Sequence, residues 1–148
     1  IIKLLVEYGA DLSYEDQLGD NILLYLGYAS KDFYDTVEII EYLESRGMDI
    51  YAKNTRNGNN ILHNACRTDA IDLAKYLIDS RGFSVNETNK EGETPLVYCL
   101  KVYGEKDEKM VRFLVEHGAD VNQKSNANLS AIDYAMERHP EIIELIRD

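Results

Sequence analysis

The chain has 148 residues, 45% hydrophobic and 29% charged, a balance that excludes a disordered polypeptide. Its 27 acidic and 16 basic residues leave a net charge of −11, so the summed field repels phosphate backbones and anionic lipid, and nucleic acid and membrane are excluded as expected partners. No apolar run nears the roughly 20 residues needed to cross a bilayer, and two cysteines, Cys66 and Cys99, are too few for a disulfide framework, which points to the cytoplasm.

Taken in chain order, the first element is an amphipathic helix carrying Ile2, Leu5 and Val6 on one face and stopped by Gly9. The start has neither an initiator Met nor a leader cleavage site and reads as a cut through a longer protein. A turn follows at Asp16-Gln17-Leu18-Gly19, then a short helix, then a surplus at Lys31–Asp35 that is expected to form a loop. A second amphipathic helix carries Val37, Ile40 and Leu43 and stops at Gly47. The same sentence is then repeated. A turn at Asn54–Gly58 leads to a short helix and to an amphipathic one with Ile71, Ala74 and Leu77, stopped by Gly82. A turn at Asn89–Gly92 leads to Thr94-Pro95-Leu96, where Thr94 can cap and Pro95 sits at the first helical position. A small surplus at Tyr103–Lys106 precedes the helix of Met110, Phe113 and Leu114, which Gly118 ends. The last turn, Ser125–Asn128, precedes a helix pair near 131–138 and 140–147, with Glu141, Glu144, Arg147 and Asp148 giving the final helix a polar face.

The stopping glycines stand 35 to 38 residues apart, and each opens a similar segment: Gly9-Ala10-Asp11-Leu12, Gly47-Met48-Asp49-Ile50, Gly82-Phe83-Ser84-Val85 and Gly118-Ala119-Asp120-Val121. Together with Gly92-Glu93-Thr94-Pro95-Leu96, Ile61-Leu62-His63-Asn64-Ala65 and Leu114–Asn122, this pattern resembles the ankyrin repeat. The resemblance implies an all-α solenoid of stacked antiparallel helix pairs joined by β-turn or hairpin loops. The expected division is a partial repeat at 1–15, full repeats at 16–53, 54–88 and 89–124, and a closing repeat or cap at 125–148, all in one domain.

Departures from the pattern carry expectations of their own. The Thr-Pro pair is replaced by Asn21-Ile22, Asn60-Ile61 and Ser130-Ala131, which predicts weaker helix initiation and less rigid units. The family's His is replaced by Leu24, Val97 and Asp133, leaving His63 alone in that role.

Chemistry has little material here. His63 and Cys66 stand three apart on one helix, but the resemblance assigns the ring to turn backbone and the thiol to a packing position. The three histidines are scattered and no Gly-rich phosphate loop occurs, so no catalytic residue, metal or cofactor is expected. Asn86 and Asn128 match the glycosylation pattern by chance, and the resemblance marks Asn86 and Asn122 as positions open to hydroxylation.

What the resemblance does imply is a protein partner on the concave face and turn tips. That face maps onto Gln17, Leu18, Asp20 and Tyr28; onto Arg56, Asn57, Asn59, Arg67 and Thr68; onto Lys90, Glu91, Glu93 and Lys101; and onto Asn126, Leu129, Glu137 and Arg138. Among the 11 tyrosines, Tyr34 and Tyr103 join the set because they fall in the surplus segments. The acidic balance favours a partner with a basic surface, bound by a monomer that recruits or sequesters it; the other reading is a targeting or structural arm of a larger protein.

Overall fold

The computed structural model describes residues 1–28, 33–101 and 108–147. Among them the secondary structure is helical, without strands. An isolated first helix, α1 (Ile2–Glu7), precedes four units, each a turn, an inner helix and an outer helix. The inner helices are α2 (Ile22–Leu26), α4 (Ile61–Arg67), α6 (Pro95–Lys101) and α8 (Ala131–Arg138). The outer ones are α3 (Phe33–Ser45), α5 (Ile71–Lys75), α7 (Glu108–Glu116) and α9 (Ile143–Arg147), the last entered through a single tight turn at Pro140–Ile142.

Helices this short are marginal in water, so packing must hold them. Inner helices pack in the row α2, α4, α6, α8 and outer helices in the row α1, α3, α5, α7, α9. One continuous core runs between the rows. Leu23, Leu24, Ile40, Leu43, Ile61, Leu62, Leu77, Leu96, Leu100, Met110 and Leu114 are fully buried in it, each worth about 1.5–3 kcal/mol of transfer free energy. Of the helical stripes read from the sequence, Val6, Ile40, Leu43, Ala74, Leu77, Met110, Phe113 and Leu114 are buried in this core and Ile2 and Ile71 pack against it, whereas Leu5 stays more than half exposed, since α1 has no inner partner among the described residues.

The inner helices keep a side-chain cap where Thr-Pro is absent. Asn21 accepts the Leu24 N–H at 2.9 Å, Asn60 the His63 N–H at 3.1 Å and Ser130 the Asp133 N–H at 3.3 Å, the same bond that Thr94 gives Val97 at 3.3 Å. Each such cap contributes about 1 kcal/mol. Asp133, counted above as a lost His, restores the reciprocal half of the cap by accepting the Ser130 N–H at 2.8 Å. An Asx or Ser oxygen thus accepts the capping N–H in each of these units without a proline beside it.

Two local surpluses are absorbed inside regular structure. The segment Leu77–Gly82 is one residue longer than its counterpart Leu114–Gly118, and α5 continues into a π-helical turn at Tyr76–Ser80 that takes up the extra residue. In the first unit, Phe33, Tyr34 and Asp35 belong to the opening turn of α3 rather than to a loop. The Tyr103–Lys106 surplus lies outside the described residues, as do Lys31 and Asp32.

Candidate partner-binding face

The turns align because each is closed by the same backbone bond: Asp16 N–H to Asp20 O at 2.9 Å, Asn54 to Asn59 at 2.7 Å, Asn89 to Glu93 at 3.0 Å and Ser125 to Leu129 at 2.9 Å. The second spans one residue more than the others. In the first three, the opening Asx carboxyl or amide oxygen also accepts N–H groups from within the turn, for instance Asn89 Oδ1 from Glu91 at 2.9 Å and from Glu93 at 3.0 Å. Positive φ is needed at the tip: Gly92 has φ +72°, and a Cβ there would stand 3.0 Å from the Asn126 nitrogen of the following turn. Asn128 takes this conformation, at φ +61°, in the last turn.

Consecutive tips are tied by Lys90 N–H to Asn57 O at 2.9 Å and Asn126 N–H to Glu91 O at 2.8 Å. Side chains reach back as well: Asn54 Nδ2 donates to Leu18 O at 3.0 Å and to Asp20 Oδ1 at 2.6 Å, Asn89 Nδ2 to Asn59 Oδ1 at 2.9 Å, and Asn126 Nδ2 to Lys90 O at 3.0 Å. The result is a ladder of turns along one edge of the inner helices, a rigid rail on which surface side chains are mounted.

On that rail Gln17, Leu18, Arg56, Lys90, Glu91 and Asn126 are exposed, with Arg67, Lys101, Glu137 and Arg138 exposed on the inner helices behind them. Tyr28, Asn57, Thr68 and Leu129 are half-buried beside them. Three residues assigned to this surface lie beneath it instead. Asp20, Asn59 and Glu93 are 5%, 0% and 3% exposed, because the reaching amides of Asn54 and Asn89 enclose Asp20 and Asn59, and Lys101 caps Glu93 at 2.9 Å. They hold the surface up rather than offer themselves to a ligand. Tyr34 is exposed, yet on an outer helix and away from the turn tips; Tyr103 lies outside the described residues.

The electrostatics of the face follow from these contacts. Lys101 donates to both Glu93 and Glu91 at 2.9 Å, which raises its own pKa and lowers that of Glu91, so this cation is already neutralised. Burial, reinforced by the Asp20 carboxylate, raises the Tyr28 pKa and keeps the phenol protonated; it donates to Asp20 Oδ2 at 3.3 Å. The Arg67 guanidinium lies over the Tyr28 ring, 5.8 Å from its centroid.

Tyr98 was missed by the sequence reading, and a signal for it exists: Tyr25, Tyr98 and Tyr134 stand at the same place, three residues into their inner helices, with Asn64 as the fourth. Asn64 donates back to Leu24 O at 3.1 Å in the preceding helix, while Tyr25 donates to Asp16 Oδ2 at 2.9 Å within its own unit. At the first unit the row ends in an open hollow of about 320 Å³ lined by Tyr14, Asp16, Ile22 and Tyr25, the stacking edge that later units have covered.

The His63 and Cys66 pair is not arranged for chemistry. His63 Nε2–H donates to Glu93 O at 3.1 Å, Nδ1 faces the Asn60 N–H at 3.4 Å, and burial pushes the ring down to about 4, so it is neutral at physiological pH. Burial pushes the Cys66 thiol up, away from the thiolate a nucleophile needs. Among the described residues, no group of three or more His, Cys, Asp or Glu could hold a metal ion, and no helix is long and apolar enough to cross a membrane.

A family model of ankyrin repeats in three copies matches residues 26–125 and again 82–148. The chain belongs to the ankyrin repeat family. An ankyrin repeat protein of fowlpox virus is 29% identical over 99% of this chain and 42% of its own length. An ankyrin repeat protein of Escherichia coli is 26% identical over 98% of this chain and 71% of its own, and an I-kappa-B like protein of Microplitis demolitor bracovirus is 32% identical over 61% and 53%. This ankyrin chain thus spans less than half of the fowlpox relative. Ankyrin repeats are in general protein-interaction modules, and the turn ladder described above is the feature that gives such a module a firm surface.

Proposed function

We propose that the chain is a binding module that recruits or sequesters one protein partner, held on the turn tips and the exposed faces of the inner helices. The observation that carries this reading is the ladder itself. It fixes a continuous row of side chains that the core does not need, from Gln17 and Leu18 through Arg56, Arg67 and Lys90 to Asn126, Glu137 and Arg138. A preformed surface loses little conformational entropy on binding, which favours affinity from modest contacts. The net charge of −11 favours a partner with a basic surface and speeds its approach. The module acts as a cytoplasmic monomer without a cofactor; its two thiols, Cys66 and Cys99, are buried.

A second reading has one observation behind it. Because the chain spans 42% of the fowlpox relative, it can also serve as the targeting arm of a larger protein whose activity lies elsewhere. The same surface would be used in both cases.

The test is capture of partners from a cell lysate by the chain and by a variant carrying Leu18→Asp, Arg56→Glu and Arg67→Glu. These three side chains are exposed, so thermal unfolding should be unchanged. Loss of the captured protein is expected. Equal capture by a folded variant would place the contact on another face.

A further inference from the structure

Along the inner helices, four residues occupy equivalent outward positions: Tyr28 just beyond α2, Arg67 at the end of α4, Lys101 at the end of α6 and Glu137 in α8. Two of them are cations, and their surroundings differ. Lys101 is held at 2.9 Å by both Glu91 and Glu93, so its charge is spent inside the protein. Arg67 is exposed and pairs with no carboxylate among the described residues; its one described side-chain contact is the Tyr28 ring.

That ring is itself fixed. Tyr28 Oη donates to Asp20, which is 5% exposed and receives Asn54 Nδ2 at 2.6 Å. Thr68, next to Arg67, donates to Gly27 O at 3.1 Å and so ties the end of α4 to the end of α2 where the ring begins. The guanidinium thus lies over a braced aromatic ring, and its side chain carries five N–H donors. An arginine stacked in this way retains its hydrogen-bonding fork, and a fork is matched by a carboxylate through two parallel bonds. Among the described residues Arg56 and Arg138 are also exposed without a carboxylate partner, Arg138 over the Tyr134 ring at 5.7 Å, but Arg67 is the one that stands in the row of Tyr28, Lys101 and Glu137, whose other cation is doubly neutralised.

We infer that Arg67, stacked on Tyr28, is the anchor for a single carboxylate of the protein partner, an Asp or Glu side chain that docks on the inner-helix face and sets the register of the complex. The inference rests on the proposed use of that face. Overall negative charge draws in a basic partner, while one acidic group on that partner is recognised at Arg67. Long-range attraction and local specificity therefore have opposite signs here.

The probe is a displayed library of random twelve-residue peptides selected on the intact chain, with the enriched peptides then titrated against the native chain, Arg67→Gln and Arg67→Lys. Enrichment of an Asp or Glu at one place in the peptide is expected. Changing that acid to its amide should weaken binding about tenfold to the native chain, as for a charge-assisted pair. It should have no effect on the Arg67→Gln variant and a smaller effect on Arg67→Lys, which keeps the charge but not the fork. An acid-to-amide cost that is the same against native and Arg67→Gln overturns the anchor, as does enrichment without an acid, or no enrichment at all. Backbone amide shifts separate the two readings. Peptides that perturb the turn tips yet ignore Arg67 overturn the anchor alone, whereas peptides that perturb only α3, α5 and α7 overturn the use of this face as well. Arg67-dependent binding of an oligothymidylate, with peptides indifferent to Arg67, would assign the fork to phosphate and overturn the carboxylate.

Discussion

His63 shows how one side chain can be structural in every atom that looks chemical. Its ring joins the second inner helix to the third turn through Glu93 O, and its burial holds the pKa near 4, against about 6.5 in an unfolded chain. The unfolded state therefore binds more protons between pH 6.5 and pH 4. Stability from this group is complete above pH 6.5 and is lost as pH falls through that window, by about 2 to 3 kcal/mol at pH 4.5. Urea unfolding at pH 7.5 and pH 4.5 measures it. The drop should shrink in His63→Gln, and an equal drop in both proteins would assign the acid sensitivity to carboxylates instead. Asp16 and Asp133, whose pKa values are lowered by the turn and cap N–H groups they accept, titrate further down the scale.

Elements meet through backbone as much as through side chains. Gly27, at the end of α2, has an ordinary helical φ of −59°, so its smallness serves the neighbour rather than its own conformation. A Cβ there would stand 2.6 Å from Asn64 Cβ and 2.8 Å from Ile61 O on α4. Gly27→Ala must push α2 and α4 apart, and a destabilisation of about 1–3 kcal/mol is expected in denaturant unfolding. An unchanged midpoint would mean that the row of inner helices shifts freely. The same closeness explains the missed assignments. Asp20, Asn59 and Glu93 occupy positions whose spacing marks them as outward, and it does so correctly within their own units. The amides and the ammonium that cover them come from Asn54, Asn89 and Lys101, two of which belong to the following turn. The capping of the inner helices was legible only in part for a related reason. The reading compared residues with Thr-Pro, while the backbone asks only for an oxygen at the cap, which Asn21, Asn60 and Ser130 supply.

At the scale of the whole molecule, the rows have ends. Inner helices α4 and α6 are covered on both sides, whereas α1 packs only against α3 in the outer row and leaves Leu4 and Leu5 more than half exposed. In a stack whose units contact only neighbours, local stability should be greatest in the middle. Native-state hydrogen exchange is expected to be slowest for amides of α4 and α6, and faster for α1 and α9; uniform protection would mean that the stack opens only as a unit. The exposed charges act at this scale too: for the proposed partner with a basic surface, association is expected to slow as salt is added, because salt screens the net charge of −11.

The sequence by itself determined the periodic part of this protein: helix stripes, glycine stops, turn chemistry and hence the stacked helix pairs, because those signals are local and recur in every unit. It also marked the residues free of the core, Arg56, Arg67 and Lys90 among them. Only the tertiary structure decided which of those polar groups remain available. Lys101 is neutralised, Asp20 is enclosed and Arg67 is left over a tyrosine, and each outcome depends on distances of about 3 to 6 Å between residues 8 to 39 apart in the chain. Lys101 is neutralised from within its own unit, whereas the pairings of Asp20 and Arg67 across units follow from how the units lean on one another, which no spacing within a single repeat encodes.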